Sequence, residues 1–549
     1  MLPAASLASP AHPAALLADA SWVRRSLGLI AALAVVRFLW LWLVPLDLVP
    51  DEAYYWDWGR QPDWCYYSKP PMIAWLNTVT QALGFTTAPL MRTPAVVLGT
   101  IGLVATWLLA RRLWGERAGF FAVVLGATAP GSLALNSLLT IDAPLIACWS
   151  VALYALWRAL EPAETTGQAS SALNPSQPGW SPALPPGAAT RTGWWALYAL
   201  AGLLGVLSKQ MMLILPLLAL VFVFTSPAPG DRAWRGRLAV YLWLAVPLLA
   251  LVPLLWWNIH NDWITVQHTA HHFEADPWRL GKGLNFCVEF IGSQLGVIGP
   301  VAAVLLVLAA CGWREVRADR RQWFAWTMTV PALALILAMS LRQRINPNWP
   351  AVFHLGGVFL AVGWLVNAQA WPRRQKAWRA AWMSGVGIVA LGYALVLAIG
   401  PLGLTGHKLD FTRRLRGWEQ FGADVGAIKA KLEADGGAPV IVVTYGGRQL
   451  ASELAFYLPG QPTVWRWTPP GLVDSQYALW KGPLPEWRGA RVLLVTSVDD
   501  LPAALTDGLG RLTPLSEINS TRTTALPPHL RILVGENLQA WDHGKPLKQ

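Results

Sequence analysis

The chain is 549 residues long, 54% hydrophobic and only 13% charged, with a net charge of +12. Soluble proteins carry about a quarter charged residues, so this balance excludes an ordinary soluble protein and indicates a polytopic membrane protein. The positive charge does not mark a nucleic-acid binder, because most Arg and Lys sit in short loops between apolar runs, the distribution of cytoplasmic loops.

Residues 1–23 are rich in Ala and Pro and lack a basic stretch ahead of an apolar core, so they read as a disordered cytoplasmic tail, not a cleaved signal. Apolar segments follow near 26–46, 93–110, 118–137, 143–160, 194–207, 211–225, 238–257, 291–311, 323–341, 350–367 and 383–401, eleven in all. Basic clusters fall at Arg24-Arg25, Arg111-Arg112, Arg232 to Arg237, Arg314 to Arg321 and Arg373 to Arg379. With the N-terminus inside, every cluster is cytoplasmic. Residues 161–193, rich in Pro, Ala, Ser and Gly, read as a cytoplasmic linker within a membrane domain spanning 24–401.

The stretch 194–225 is too long for one upright span of ~20 residues, and its basic flanks both belong inside. It must therefore pass twice, and Ser208-Lys209-Gln210 is the natural turn, recessed below the outer surface. After the eleventh segment the chain is outside. Residues 402–549 have ordinary charge content and short apolar runs (Pro439 to Val443, Arg491 to Val495) around a helix-like stretch, Arg448 to Tyr457. They predict a small extracytoplasmic α/β domain.

Five polar constellations fall at the outer ends of different spans: Asp51-Glu52 with Lys69, Asn136 to Asp142, Lys209, Asn258 to His272, and Arg342 to Trp349. Packed as a bundle, they converge on one outward cavity suited to a charged, membrane-bound substrate. Each has a plainer alternative. Asp51, Glu52 and Asp142 also suit helix N-termini, and Lys69 an interfacial anchor. A buried lysine at position 209 requires an anionic partner. Arg344 flanks a Pro-interrupted turn with Asn348, and an arginine there is shaped to hold phosphate. His260 leaves the membrane through an aromatic belt, and either a substrate contact or an interfacial role fits it. His268, His271 and His272 have helical spacing that leaves a divalent metal open. Cys65 and Cys287 both fall outside, which leaves a disulfide between them open.

At Asp51-Glu52-Ala53-Tyr54-Tyr55-Trp56, Tyr66-Tyr67-Ser68-Lys69-Pro70-Pro71, Leu139-Thr140-Ile141-Asp142-Ala143-Pro144-Leu145, Leu207-Ser208-Lys209, Trp257-Asn258-Ile259-His260 and Asn346-Pro347-Asn348-Trp349-Pro350 the chain resembles the GT-C glycosyltransferases that use polyprenyl-phosphate sugars. The branch is that of the aminoarabinose transferases and the dolichyl-phosphate-mannose protein mannosyltransferases. The resemblance covers roughly residues 24–400. It implies a polytopic α-helical GT-C fold of about 11 transmembrane helices, placed in the cytoplasmic membrane with its site outside. Asp51 would be the catalytic carboxylate, with Lys69, Lys209 and Arg344 around the donor phosphate. Glu52, Tyr67, Asp142, His260 and Asn348 would line the substrate site. Ser68 stands where aminoarabinose transferases carry an acid before the first-loop lysine, and no metal site or cofactor is firmly implied. The expected partners are a polyprenyl-phosphate-sugar donor, a lipid, glycan or protein acceptor, and membrane lipids. A transporter or flippase for a lipid-linked anion is the alternative, since it too needs cations in an outward cavity.

Overall fold

The computed structural model describes residues 13–44, 46–161, 188–271, 279–366, 371–410, 412–519 and 526–544. Most of this chain is helical, and apolar helices make it a multi-pass membrane protein. Among the described residues six helices are long and apolar enough to cross a bilayer, or up to eight if each of two bent pairs is one span. The sequence predicts eleven apolar segments, and the difference has a local cause: several fold as short or broken helices. The segment 118–137 is helical only over Glu116–Ala127, then breaks at Thr128 to Pro130 before a single turn, Gly131–Leu135. Gly299 bends Leu280–Ile298 against Pro300–Cys311 by 106°, its φ of 86° being a conformation that glycine adopts without strain.

The elements that carry the predicted polar residues come early. Helix α1 (Pro13–Leu43) starts inside the segment read as a tail and runs toward α2. A short helix α2 (Pro50–Trp58) follows, then α3 (Met72–Ala82), α4 (Ala88–Trp114), α5 (Glu116–Ala127), α6 (Gly131–Leu135) and α7 (Asp142–Leu160). Helix α8 (Ala188–Ser208) stops at Lys209, whose backbone is extended (φ −160°, ψ 137°). A 3-10 turn, Gln210–Leu213, restarts the chain into α9 (Ile214–Thr225). Helices α4, α5, α7 and α8 pack on each other and on Ala351–Val366 around Trp149, Leu153, Tyr198 and Phe353, all fully buried.

The C-terminal part forms a five-stranded sheet: β1 (Val440–Tyr445), β2 (Val464–Trp467), β3 (Arg491–Thr496), β4 (Leu512–Asn519) and β5 (His529–Gly535), in the order β2-β1-β3-β5-β4. The first three are mutually parallel and β5 and β4 run antiparallel. Strands β1 and β3 are buried along almost their whole length, as expected for parallel strands covered on both faces. Helices Trp418–Ala434 and Arg448–Tyr457 cover one face.

This domain sits directly on α2. Phe456 meets Trp56 edge to face at 5.1 Å, and Tyr477 lies 5.6 Å from Tyr54. The amide of Leu48 donates to the Tyr457 hydroxyl (2.7 Å), and that of Trp418 to Asp47 Oδ2 (2.7 Å). The Tyr477 hydroxyl donates to Asp57 Oδ2 (2.7 Å). Burial pushes the Asp57 carboxyl up to about 6, against the pull of Arg60 and of the Tyr477 hydroxyl.

Candidate active site

Asp51 and Glu52 are consecutive in the first turn of α2, about 100° apart around its axis. That rotation sends them in opposite directions. Glu52 is fully buried and forked with Arg92 of α4 (Nη2 to Oε2, 2.6 Å). Its two oxygens also accept the amides of Val49 (3.1 Å) and Leu139 (2.9 Å). Glu52 thus ties the start of α2 to α4 and to the loop before α7. It offers no free surface to a substrate. Asp51 faces outward, half-exposed, and takes one charge-assisted bond, from Arg448 Nη2 (2.6 Å).

Lys69 lies in the loop between α2 and α3. Its carbonyl accepts from the Tyr66 amide (3.1 Å), which closes a turn ahead of Pro70-Pro71. Among the described residues its ammonium makes no hydrogen bond or ion pair. Burial pushes the Lys69 ammonium below the usual lysine range. Lys209 and Arg448 add to that push, while Asp51 and Asp142 oppose it. These four charges are its electrostatic neighbours, so residues from α2, α7, the α8–α9 break and the C-terminal domain gather around one lysine.

Asp142, the first residue of α7, is buried and doubly engaged. Its Oδ1 accepts from Lys209 Nζ and its Oδ2 from Asn348 Nδ2, each at 2.7 Å. The extended backbone at position 209 turns the lysine away from both flanking helices and toward α7. Tyr67 is held by its amide, which donates to Gln476 Oε1 of the C-terminal domain (2.7 Å), and its ring meets His268 at 4.7 Å.

Two predicted residues stand apart from this cluster. Arg344 is exposed, its guanidinium paired with Glu289 (Nε to Oε1, 2.8 Å). His260 is exposed and bonded to its own helix through the Trp256 carbonyl (2.8 Å). His272 lies outside the described residues. Among the described residues no three His, Cys, Asp or Glu side chains gather closely enough to hold a metal ion. All four cysteines are free, so the Cys65–Cys287 alternative is closed, with Cys65 buried beside Thr265 and Asn258.

Arg448 and Arg92 were missed from sequence. Arg448 is the first residue of a helix in a different domain, and no local pattern connects it to position 51. Arg92 lies near an apolar segment, and its isolation from the basic clusters was the available signal.

Along α4, α7 and Ala351–Val366 runs an apolar cleft with a cavity volume of about 100 Å³. Gly102, Leu103, Ile146, Leu305, Leu355 and Val358 are in its walls. It runs away from Asp142 and Asn348 along the helices that those residues begin or precede.

Residues 68–170 match the family model of dolichyl-phosphate-mannose-protein mannosyltransferases. A lipid A galacturonosyltransferase of Rhizobium johnstonii is 25% identical over 461 residues, 81% of this chain and 87% of the relative. An undecaprenyl phosphate-α-4-amino-4-deoxy-L-arabinose arabinosyl transferase of Pseudomonas aeruginosa is 26% identical over 402 residues. That alignment covers 68% of this chain and 64% of the relative's length. Among solved structures, ArnT of Cupriavidus metallidurans shares the fold. Its apo form has a TM-score of 0.60 at 17% identity, over 94% of this chain and 98% of that one. The undecaprenyl-phosphate-bound form has a TM-score of 0.60 at 19% identity, over 93% and 98%.

Proposed function

We propose that this chain, a multi-pass membrane glycosyltransferase of the GT-C superfamily, moves one sugar from a polyprenyl-phosphate donor to a lipid, glycan or protein acceptor at the outer face of the cytoplasmic membrane. The observation that carries the reading is the Lys69 ammonium, which has no partner among the described residues and has Asp51 among its electrostatic neighbours. A free cation next to a carboxylate, in a chain of bilayer-crossing helices, suits a lipid phosphate whose reacting carbon lies near a base. The relatives support the donor class: one acts on lipid A with galacturonate, another uses undecaprenyl phosphate-aminoarabinose, and the Cupriavidus structure holds undecaprenyl phosphate.

In this reading the prenyl chain lies in the cleft and the phosphate on Lys69. Arg448, not Arg344, is the arginine within reach of it. Asp51 accepts the proton of the acceptor hydroxyl as that oxygen attacks C1. The C1–O bond to phosphate breaks through an oxocarbenium-like state. The electron pair stays on the phosphate, whose growing charge the cations stabilise, so no second carboxylic acid is needed. Attack opposite the leaving phosphate inverts the anomeric centre. Asp142, Lys209 and Asn348 form a closed network that fixes the floor of the site, and Glu52 and Arg92 fix α2 above it.

The domain organisation we propose is a membrane domain that opens with α1 at Pro13 and runs to 401 with eleven crossings, several made by short or broken helices, and an outer domain over 402–549. The test is incubation of the purified full-length protein in nanodiscs with undecaprenyl-phosphate sugars and candidate acceptors, with product detection by mass spectrometry. A covalent glycosylated product that depends on Asp51 supports the reading. Movement of the lipid between leaflets with no covalent product would instead favour a flippase.

A further inference from the structure

Arg448 follows the paired glycines Gly446 and Gly447 at the carboxyl end of β1, on the first residue of its helix. Its guanidinium carbon lies over the Tyr54 ring, 4.3 Å from the centroid. One arm of the guanidinium fork is used: Nη2 donates to Asp51 Oδ1 at 2.6 Å. The other is not. Nη1 is buried and has no hydrogen-bond partner among the described residues. The second Asp51 oxygen has no partner among the described residues either, and neither has the Lys69 ammonium.

An unused guanidinium arm beside an unused ammonium is a vacant anion subsite. Nη1 is closed to solvent while Nη2 is held by Asp51, so a phosphate arriving at Lys69 reaches it only as the guanidinium turns away from that carboxylate. The stronger arrangement for arginine and phosphate is two parallel bonds, through Nη1 and Nη2 together. Nη2 is held by Asp51, so the two anions compete for one arm.

We propose that Arg448 is a latch on Asp51 that the donor phosphate opens: phosphate takes both arms of the guanidinium, and the released carboxylate becomes the base. The proposal rests on the reading of the donor as a polyprenyl phosphate and of Asp51 as proton acceptor. With the latch open, the acceptor O–H proton passes to Asp51, the acceptor oxygen bonds C1, and the C1–O bond to phosphate breaks. The electron pair remains on the phosphate oxygen, facing Lys69 and Arg448. Asp51 then loses its proton to solvent, and the departing lipid phosphate returns Arg448 to it. The C-terminal domain is thereby part of the catalytic cycle, because it supplies the arm that keeps the base occupied until donor is present.

The experiment measures binding of undecaprenyl phosphate, which carries no sugar and cannot turn over, to full-length protein in nanodiscs. Wild type, D51N, R448Q and the double variant D51N/R448Q are compared. A latch predicts that D51N binds the lipid phosphate about threefold to tenfold tighter than wild type, and that this gain vanishes in the R448Q background. R448Q alone binds about tenfold weaker. R448K, with a charge but no fork, falls between them and controls for folding. The latch is overturned if D51N gains nothing, or gains equally with and without Arg448, since an equal gain reports only the removal of a nearby negative charge. Absence of saturable binding to wild type would overturn the donor reading itself, and the latch with it.

Discussion

The ammonium of Lys209 lies 2.7 Å from Oδ1 of Asp142, and both side chains are buried, 67 residues apart in the chain. The pair pins the break between α8 and α9 to the start of α7. A buried pair of this kind is sensitive to losing one member, since the survivor is left as an uncompensated charge.

Asp142→Asn or Lys209→Met alone is therefore expected to cost about 3–5 kcal/mol. The double variant, D142N/K209M, is expected to recover a large part of that loss, because it leaves no lone charge. Thermal unfolding of the three variants in one detergent checks this. Additive losses would show that the pair is not coupled.

Asp51→Asn should lower turnover by about 10²–10⁴-fold, the usual contribution of a positioned general base, while the lipid phosphate still binds. Its neighbour should behave differently. Glu52→Gln disturbs the Arg92 fork and the Leu139 amide, so it should lower the unfolding midpoint. Near-normal turnover by Asp51→Asn in a purified assay would remove Asp51 from the base role.

Because burial and neighbouring cations hold the Lys69 ammonium below the usual lysine range, its charge is lost earlier as pH rises. A phosphate bound to the protonated form is held below that pKa and released as pH passes through it. Undecaprenyl phosphate affinity should thus fall on the alkaline side. Lys69→Arg, which stays charged, should flatten that limb. The same alkaline loss in both proteins would assign it to another group.

Arg344→Ala should leave donor affinity within about twofold, since its partner is a surface carboxylate, Glu289, and exposed pairs contribute about 0–1 kcal/mol. A loss comparable to that of Lys69→Ala would return Arg344 to the phosphate clamp.

Asp57, its carboxyl raised from 3.8 to about 6 by burial, is expected to make the C-terminal domain dock better in mild acid. The sign follows from the raised value: the contribution is complete below pH 3.8 and lost as pH rises through about 6. Two pKa units correspond to about 3 kcal/mol. Limited proteolysis between the domains should be slower at pH 5 than at pH 7.5, and Asp57→Asn should show little difference between the two. Equal pH dependence in both proteins would exclude Asp57 as its source.

Several features were legible along the chain because they are local. The break at Lys209 lies where hydropathy and basic flanks demanded a turn. Strands β1 and β3 and the helix Arg448–Tyr457 fall on the runs that predicted them, since a short run of β-branched residues needs no distant partner to declare itself. Broken spans were less legible, because a break such as Thr128 to Pro130 leaves mean hydropathy unchanged.

By itself the sequence determined that this chain is a membrane protein, where polar residues interrupt its apolar segments, and which acids and lysines are available there. Only the tertiary structure decided their uses. The rotation of α2 sends Glu52 inward to Arg92 and Asp51 outward. Docking of the C-terminal domain brings Arg448 to Asp51 across 397 positions, and Glu289 occupies Arg344. The physical reason is range. Solvation of a segment is a property of its own residues, whereas a charge is assigned by whichever opposite charge packing brings within a few ångströms, and that depends on every helix between them.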